Sequence, residues 1–168
     1  MRPAYITIGQ IVNTHGIRGD LKLNPWRVEP AQLLGIRHFF VDGQALQPQS
    51  MRVHKNTLLF RLPGVEDMDA ALAYKGKEVQ IAPQEAQLPP GTYFDQELLG
   101  LEVLEAESGA SLGHISDVLS YPAHKIYEVS GEKRYLIPAV PGVFIQQLDV
   151  EGGRVTIHLL EGLELDGN

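Results

Sequence analysis

The sequence predicts a mainly β chain in which two small β-barrels are joined by a proline-rich linker. Short apolar alternations separated by turn signals recur along the 168 residues, and only one short segment has helical spacing. Residues 83–91 contain three prolines and few apolar side chains, as expected of a linker. We therefore predict a first barrel with one short helix over residues 1–82, a linker over 83–92 and a second barrel over 93–168. Strands this short and regular favour barrels over an open sheet.

The charge is divided unevenly between the two predicted barrels. Residues 1–88 carry 10 Lys and Arg against 8 Asp and Glu, which gives +2, whereas residues 89–168 carry 4 against 13, which gives −9. The strongly anionic half should repel nucleic acid and attract a basic protein. The first half could approach a phosphate backbone, although +2 alone does not make it a nucleic-acid-binding domain.

The composition excludes several classes of protein. Apolar residues make up 43% of the chain, which is enough for packed cores. The absence of cysteine rules out disulfides, a thiolate nucleophile and a cysteine-based zinc site. No apolar run approaches the roughly 20 residues of a membrane span, and the N-terminus has no signal-peptide profile. We therefore expect a cytoplasmic protein that does not bind membranes.

The first strands are expected to form a hairpin with a basic tip. Apolar residues alternate on both sides of the segment 15–19. Its two glycines, Gly16 and Gly19, can adopt φ > 0, so the chain can reverse there. The turn would present His15, Arg18 and Lys22 to a polyanion or an acidic surface. The simpler alternative is that the glycines only shape the turn.

The rest of the first half continues as short strands and includes the one predicted helix. That helix begins near Asp67 as N-cap, places Met68 and Leu72 on one face and stops at Gly76. A helix this short depends on packing, and we expect it to cover one end of the barrel. The predicted strands of this half are 38–41, 51–54, 57–62 and 78–81.

The second half alternates in the same way, with no helical pattern between its strands. Ser108-Gly109 and residues 151–153 are turn signals. In the last strand Val155, Ile157 and Leu159 share the inward face. The predicted strands are 99–104, 111–119, 126–129, 135–137, 143–148 and 155–159.

No catalytic or metal-binding motif is evident. The six histidines do not pair with one another at the helical spacing of metal ligands, and the segments that hold them are not predicted to be helical. The sequence has neither a Gly-x-Ser-x-Gly elbow nor a Walker-type phosphate loop. We therefore expect no enzyme and no cofactor. The alternative that stays open is a small β-barrel enzyme or metal-binding domain whose site forms only in three dimensions.

Two aromatic residues, Tyr93 and Phe94, directly follow the linker. Neighbouring side chains of an extended chain point to opposite faces, so one ring can enter a core while the other is exposed. An exposed aromatic residue near proline is a good anchor for a protein partner. The alternative is that the pair only fastens the linker to a barrel.

Three blocks of residues, taken together, resemble the RimM family, the bacterial factors for maturation of the small ribosomal subunit. The blocks follow the family's order and run nearly from end to end of the chain. They are Ile8-Gly9-Gln10-Ile11-Val12 through His15-Gly16-Ile17-Arg18-Gly19, then Tyr93-Phe94 with Leu98-Leu99-Gly100-Leu101-Glu102-Val103 and Leu112-Gly113, and finally Leu136-Ile137-Pro138 with Leu148-Asp149 and Leu160-Glu161-Gly162-Leu163.

The resemblance implies a fold and a function. The fold is a six-stranded N-terminal barrel similar to domains of translation factors, followed by a C-terminal PRC-type barrel. The function is that of a non-catalytic assembly factor, without a cofactor, that binds the head of immature small subunits and assists 16S rRNA maturation. Family members bind free small subunits and contact their nineteenth protein, which is basic. We expect this chain to be a monomer.

The resemblance also implies site residues. The family's subunit-binding aromatic pair falls on Tyr93 and Phe94, with Asp95 beside it. Many members have Tyr-Tyr at this pair, and an Asp where Glu97 stands. Phe94 lacks one hydroxyl but keeps the ring, so the role can persist. The basic turn would contact RNA or protein through His15, Gly16, Arg18, Gly19 and Lys22.

Overall fold

The computed structural model describes residues 4–86, 88–160 and 162–165. The two chain ends, Gln87 of the predicted linker and Glu161 of the closing block lie outside the described residues. The chain divides into two compact units, one ending at Phe94 and the other continuing from Asp95. Each unit contains one sheet of short strands and few helical residues. The mainly β prediction is therefore confirmed.

The first unit is an antiparallel sheet of seven strands. Their hydrogen-bonded order is β4-β3-β7-β1-β2-β6-β5, and 3₁₀ turns occur at Pro30–Leu33 and Pro83–Glu85. The elements are β1 (Ile6–His15), β2 (Asp20–Pro25), β3 (Phe39–Val41), β4 (Gln44–Leu46), β5 (Ser50–His54), β6 (Thr57–Arg61), α1 (Met68–Leu72) and β7 (Glu78–Ile81).

The strand count exceeds the six that the resemblance implies because residues 39–46 form an extra hairpin. Asp42 and Gly43 both have positive φ, 54° and 77°. This tight reversal pairs two three-residue strands, β3 and β4. The first of these strands is predicted from the sequence, but β4 is not, since the side chains of Gln44 and Ala45 are exposed and give no apolar alternation.

Helix α1 has the predicted N-cap but packs through a different face. The Asp67 carboxylate accepts a hydrogen bond from the Ala70 backbone N–H at 2.8 Å, which satisfies one donor of the first turn. The buried residue is Ala71, whereas Met68 and Leu72 are 43% and 46% exposed. The expectation that Met68 and Leu72 mark the packing face is therefore wrong. The small Ala71 side chain lets the helix backbone lie close to the sheet.

The core of the first unit consists of the inward side chains of the sheet. Phe39 and Phe60 meet edge to face with centroids 5.0 Å apart, a favourable aromatic geometry. The buried members are Ile6, Ile8, Ile11, Leu21, Leu23, Leu33, Ile36, Phe39, Val41, Leu58, Phe60, Leu62, Val65, Ala71, Val79, Ile81 and Phe94.

The second unit is also a seven-stranded sheet, in the order β12-β13-β8-β9-β10-β11-β14. Its strands pair antiparallel except β8 with β13, which run parallel. Val155 and Ile157 are fully buried, as predicted for the inward face of β13. The elements are α2 (Asp95–Leu98), β8 (Glu102–Glu105), β9 (Ser111–Ser120), β10 (Lys125–Ser130), β11 (Arg134–Pro138), β12 (Ile145–Asp149), β13 (Arg154–Ile157) and β14 (Glu164–Leu165).

The predicted strand at 99–104 begins later than expected because a helical turn precedes it. The Leu99 N–H donates to the Asp95 carbonyl at 3.0 Å, and Gly100 follows with φ of 88°. Glycine in this conformation commonly ends a helix. Leu98 and Leu101 are buried by the helical turn and its exit, so their apolar character does not mark a strand.

The helices in the described parts of the chain are all too short to cross a membrane.

Candidate functional site

The basic turn projects from the end of the β1–β2 hairpin. Gly16 and Gly19 have φ of 74° and 86°, so the predicted reversal is confirmed. Ile17 at the tip is 81% exposed, and Arg18 is exposed beside it. His15 and Lys22 are partly exposed on the two strands. Ile17 is not among the site residues predicted from the sequence, although an apolar residue between two turn glycines is a usable signal of an exposed tip.

The two glycines of this turn are required for different structural reasons. A Cβ on Gly19 would lie 2.9 Å from the Asp67 carbonyl oxygen and 3.0 Å from that of Val65. Such distances are below ordinary contact, so Gly19 permits the turn to lie against the segment that leads into α1. A Cβ on Gly16 would meet no atom within 4 Å. Gly16 therefore supplies only its backbone conformation.

Asp20, the acidic residue beside the turn, is paired with two arginines. Arg61 donates from Nε and Nη2 to Asp20 Oδ1, at 3.0 Å and 2.8 Å. Arg52 Nη2 lies 3.6 Å from Asp20 Oδ2. Asp20 is thus neutralised by its own neighbours. Within the described ranges, neither Arg18 nor Lys22 forms an ion pair with a carboxylate.

The sheet brings further cations to the predicted basic residues. The rings of His15 and His54 lie 5.3 Å apart between centroids. Desolvation and then the neighbouring cations lower the pKa of His54, the cations in decreasing order of effect being His15, Lys55, Lys22 and Arg52. Arg52, His54 and Lys55 are not among the site residues predicted from the sequence. Their signal was the alternation of basic residues 52 and 54 on one face of a predicted strand.

The predicted aromatic pair is split between core and surface. Phe94 is 2% exposed and belongs to the hydrophobic core of the first unit, whereas Tyr93 is partly exposed. This matches the expectation that one ring enters a core while its neighbour faces outward. Phe94 therefore presents little surface to a partner, and Tyr93 is the accessible member of the pair.

Asp95, the third residue of the predicted binding segment, is a buried carboxylate in the second unit. It is 4% exposed, and its Oδ1 accepts a hydrogen bond from Lys125 Nζ at 2.6 Å. Burial and the charge of Asp95 raise the pKa of Tyr127 to about 12. Lys125 lies at the start of β10, in a segment to which the sequence analysis gave no role. The contact with Lys125 holds Asp95, where the chain enters this unit, in place.

The described residues contain no group of three or more His, Asp and Glu side chains that could hold a metal ion. One histidine has a carboxylate partner, since His38 Nδ1 lies 2.7 Å from Glu85 Oε1.

Two family models match the chain and together span most of it. The model described as the RimM N-terminal domain matches residues 6–86, and the RimM PRC barrel domain matches residues 95–163. The C-terminal PRC-type barrel and the mainly β organisation expected from the sequence are thus confirmed.

Curated relatives cover almost the whole chain. A protein from Symbiobacterium thermophilum named ribosome maturation factor RimM is 32% identical, over 96% of this chain and 95% of the relative. One of the same name from Clostridium botulinum is 30% identical, over 94% and 95%. The solved structure of a RimM protein from Pseudomonas aeruginosa is 25% identical, with a TM-score of 0.46 over 92% of this chain and 97% of that one.

Proposed function

The chain belongs to the RimM family, and we propose that it is a ribosome maturation factor that binds the head of the immature small subunit. It acts there without making or breaking bonds and assists maturation of 16S rRNA. The observation that carries this proposal is the pair of domain matches in family order along one chain. Such a factor would work in the cytoplasm as a monomer.

The proposed partner of the second domain is the basic nineteenth protein of the small subunit. The net charge of −9 over residues 89–168 complements a cationic protein, which speeds encounter and makes binding sensitive to salt. Tyr93 would supply the anchor, because it is the partly exposed member of the aromatic pair. Phe94 would hold the backbone of Tyr93 in place from the core, and Asp95 would do so through Lys125.

The proposed role of the basic turn is a second contact with the subunit. His15, Gly16, Arg18, Gly19 and Lys22 would meet RNA or a neighbouring protein. This assignment is supported by the exposure of Arg18 and the Ile17 tip. It is also supported by the neutralisation of Asp20, the nearby carboxylate, by Arg61 and Arg52.

Sedimentation of tagged protein in cell extract tests the function and the anchor together. The wild-type chain should travel with free small subunits and not with complete ribosomes. Tyr93→Ala should lower the bound fraction by about tenfold, the size expected for loss of an aromatic hot spot, while its melting temperature stays near that of the wild type.

The matched control is Tyr5→Ala, which removes another exposed tyrosine of the same unit, 52% exposed. It should sediment like the wild type. Full binding by a folded Tyr93→Ala variant would refute the anchor role. Absence of the wild-type chain from small-subunit fractions at low salt would refute the function itself.

A further inference from the structure

Basic side chains from three strands and one turn converge on an outward patch of the first unit, which we call the basic face. Its centre is the contact between His15 of β1 and His54 of β5, whose ring centroids are 5.3 Å apart. Desolvation and then the surrounding cations lower the pKa of His54. The basic face consists of His15, Lys22, Arg52, His54 and Lys55.

The sheet register explains why these cations are adjacent. Lys22 on β2 and Arg52 on β5 both stand opposite Leu59 on β6, so the three side chains form a row on one side of the sheet. Leu58 and Phe60 point into the core, and Leu59 alternates with them, yet Leu59 is only 1% exposed. Lys22 and Arg52 flank it on the same side of the sheet, and the long stems of such residues typically lie along apolar surface while their charged ends stay in water.

The basic face has an excess of positive charge. Asp20, the carboxylate that faces it, accepts two hydrogen bonds from Arg61 and lies 3.6 Å from Arg52. Over residues 4–86 and 88–160, Lys22 and Lys55 have no carboxylate within ion-pair distance. An anion that reached this face would therefore meet two lysines that its own chain does not neutralise.

We propose that the basic face binds the phosphodiester backbone of single-stranded RNA, with the rings of His15 and His54 as a stacking surface for a base. This inference rests on the proposed function, because it names RNA as the partner on the side of the basic turn. A groove of cations beside ring faces is the combination that single-stranded nucleic acid binds. An acidic protein would be bound through the charges, whereas the two adjacent rings add a surface on which a base can stack.

The contact between the two imidazoles makes this binding depend on pH. Desolvation, and then the charges of His15, Lys55, Lys22 and Arg52, disfavour protonation of His54 in the free protein. A bound phosphate offsets that repulsion and favours the protonated ring, so binding takes up a proton. Affinity for RNA should therefore rise as pH falls from about 7.5 to about 5.5, the range in which histidine titrates. Asp20 faces the same cluster but is already bonded to Arg61.

The experiment measures fluorescence anisotropy of a labelled single-stranded RNA of about twelve nucleotides, titrated with the purified full chain and no ribosomal particles. The double variant Lys22→Gln/Lys55→Gln should weaken binding by about tenfold and reduce the slope of log K against log salt by roughly 1.4, or 0.7 per lost phosphate contact. The control Arg37→Gln/Lys75→Gln removes the same charge from exposed positions of the same unit and should stay within about twofold of wild type.

Three further results decide the inference. His54→Gln should flatten the pH dependence, while His158→Gln, in the other unit, should keep it. Equal losses of RNA affinity in the two double variants would show that binding depends only on overall charge, and would refute binding at the basic face. Competition by polyglutamate as effective as that of unlabelled RNA, charge for charge, would overturn the choice of RNA. Since no subunit is present, these outcomes are independent of whether the chain sediments with small subunits.

Discussion

Gly19 lies so close to the backbone of Asp67 that a methyl group cannot fit between them. A Cβ at Gly19 would be 2.9 Å from the Asp67 carbonyl oxygen, while the Asp67 side chain caps helix α1 through the Ala70 N–H. Asp67 thus contacts the hairpin turn through its backbone and caps the helix through its side chain. The orientation of the basic turn depends on this contact.

Gly19→Ala is expected to destabilise the first unit by about 3 kcal/mol, since it adds a clash to the cost of a positive φ. Gly16→Ala should cost about 1 kcal/mol, because Gly16 has a similar φ but open space around it. Denaturant unfolding followed by fluorescence of Trp26, the only tryptophan of the chain, measures both. Equal losses in the two variants would contradict the close contact.

Phe94→Ala should destabilise the first unit by about 4 kcal/mol, as for other large buried aromatic residues. Phe94 is 2% exposed in that core, so its removal leaves a cavity. Tyr93→Ala should cost about 1 kcal/mol or less, because Tyr93 is partly exposed. Trp26 fluorescence during denaturation again gives the comparison. A larger loss for Tyr93→Ala than for Phe94→Ala would show that the structural roles of the pair are reversed.

Lys125→Met should destabilise the second unit by about 2 kcal/mol, because it removes a charged partner from a buried carboxylate. Asp95 has a side-chain exposure of 6% in this pair. Lys133→Met is the control, since Lys133 pairs with Glu164 at the surface, where side-chain exposures are 60% and 48%. Its effect should be below about 0.5 kcal/mol. Thermal melting by circular dichroism that ranks the two variants equally would argue against a structural role for the Asp95 pair.

Tyr127 is expected to ionise at a higher pH than an ordinary tyrosine on titration with alkali. Burial and Asp95 raise its pKa to about 12 in the folded chain, against about 10 when unfolded. The neutral phenol is favoured by folding, so its contribution to stability is complete below pH 10 and is lost as pH rises through about 12. Tyrosinate absorbance should show a late component that Tyr127→Phe removes. A wild-type titration without that component would contradict the assignment.

The sequence by itself determined most of the strands and the hairpin turns, because these depend on local alternation and on glycine and proline. The linker over 83–92 stays a prediction. The Asp67 cap and the reversal at Gly16 and Gly19 are local in the same way. The family blocks added the PRC-type barrel, which alternation alone does not specify. Local patterns failed at Met68 and Leu72, whose spacing suits a packed face although the small Ala71 makes the contact.

Only the tertiary structure decided which side chains meet across the sheet. His15 and His54 are far apart in the chain and become neighbours through the arrangement of β1, β2, β6 and β5. The burial of Phe94 depends likewise on the packing of distant strands. Alternation along a strand says which face a side chain takes, but not which strand lies beside it. For this reason the basic turn could be predicted from the sequence, whereas the basic face, and which of Tyr93 and Phe94 is the buried ring, could not.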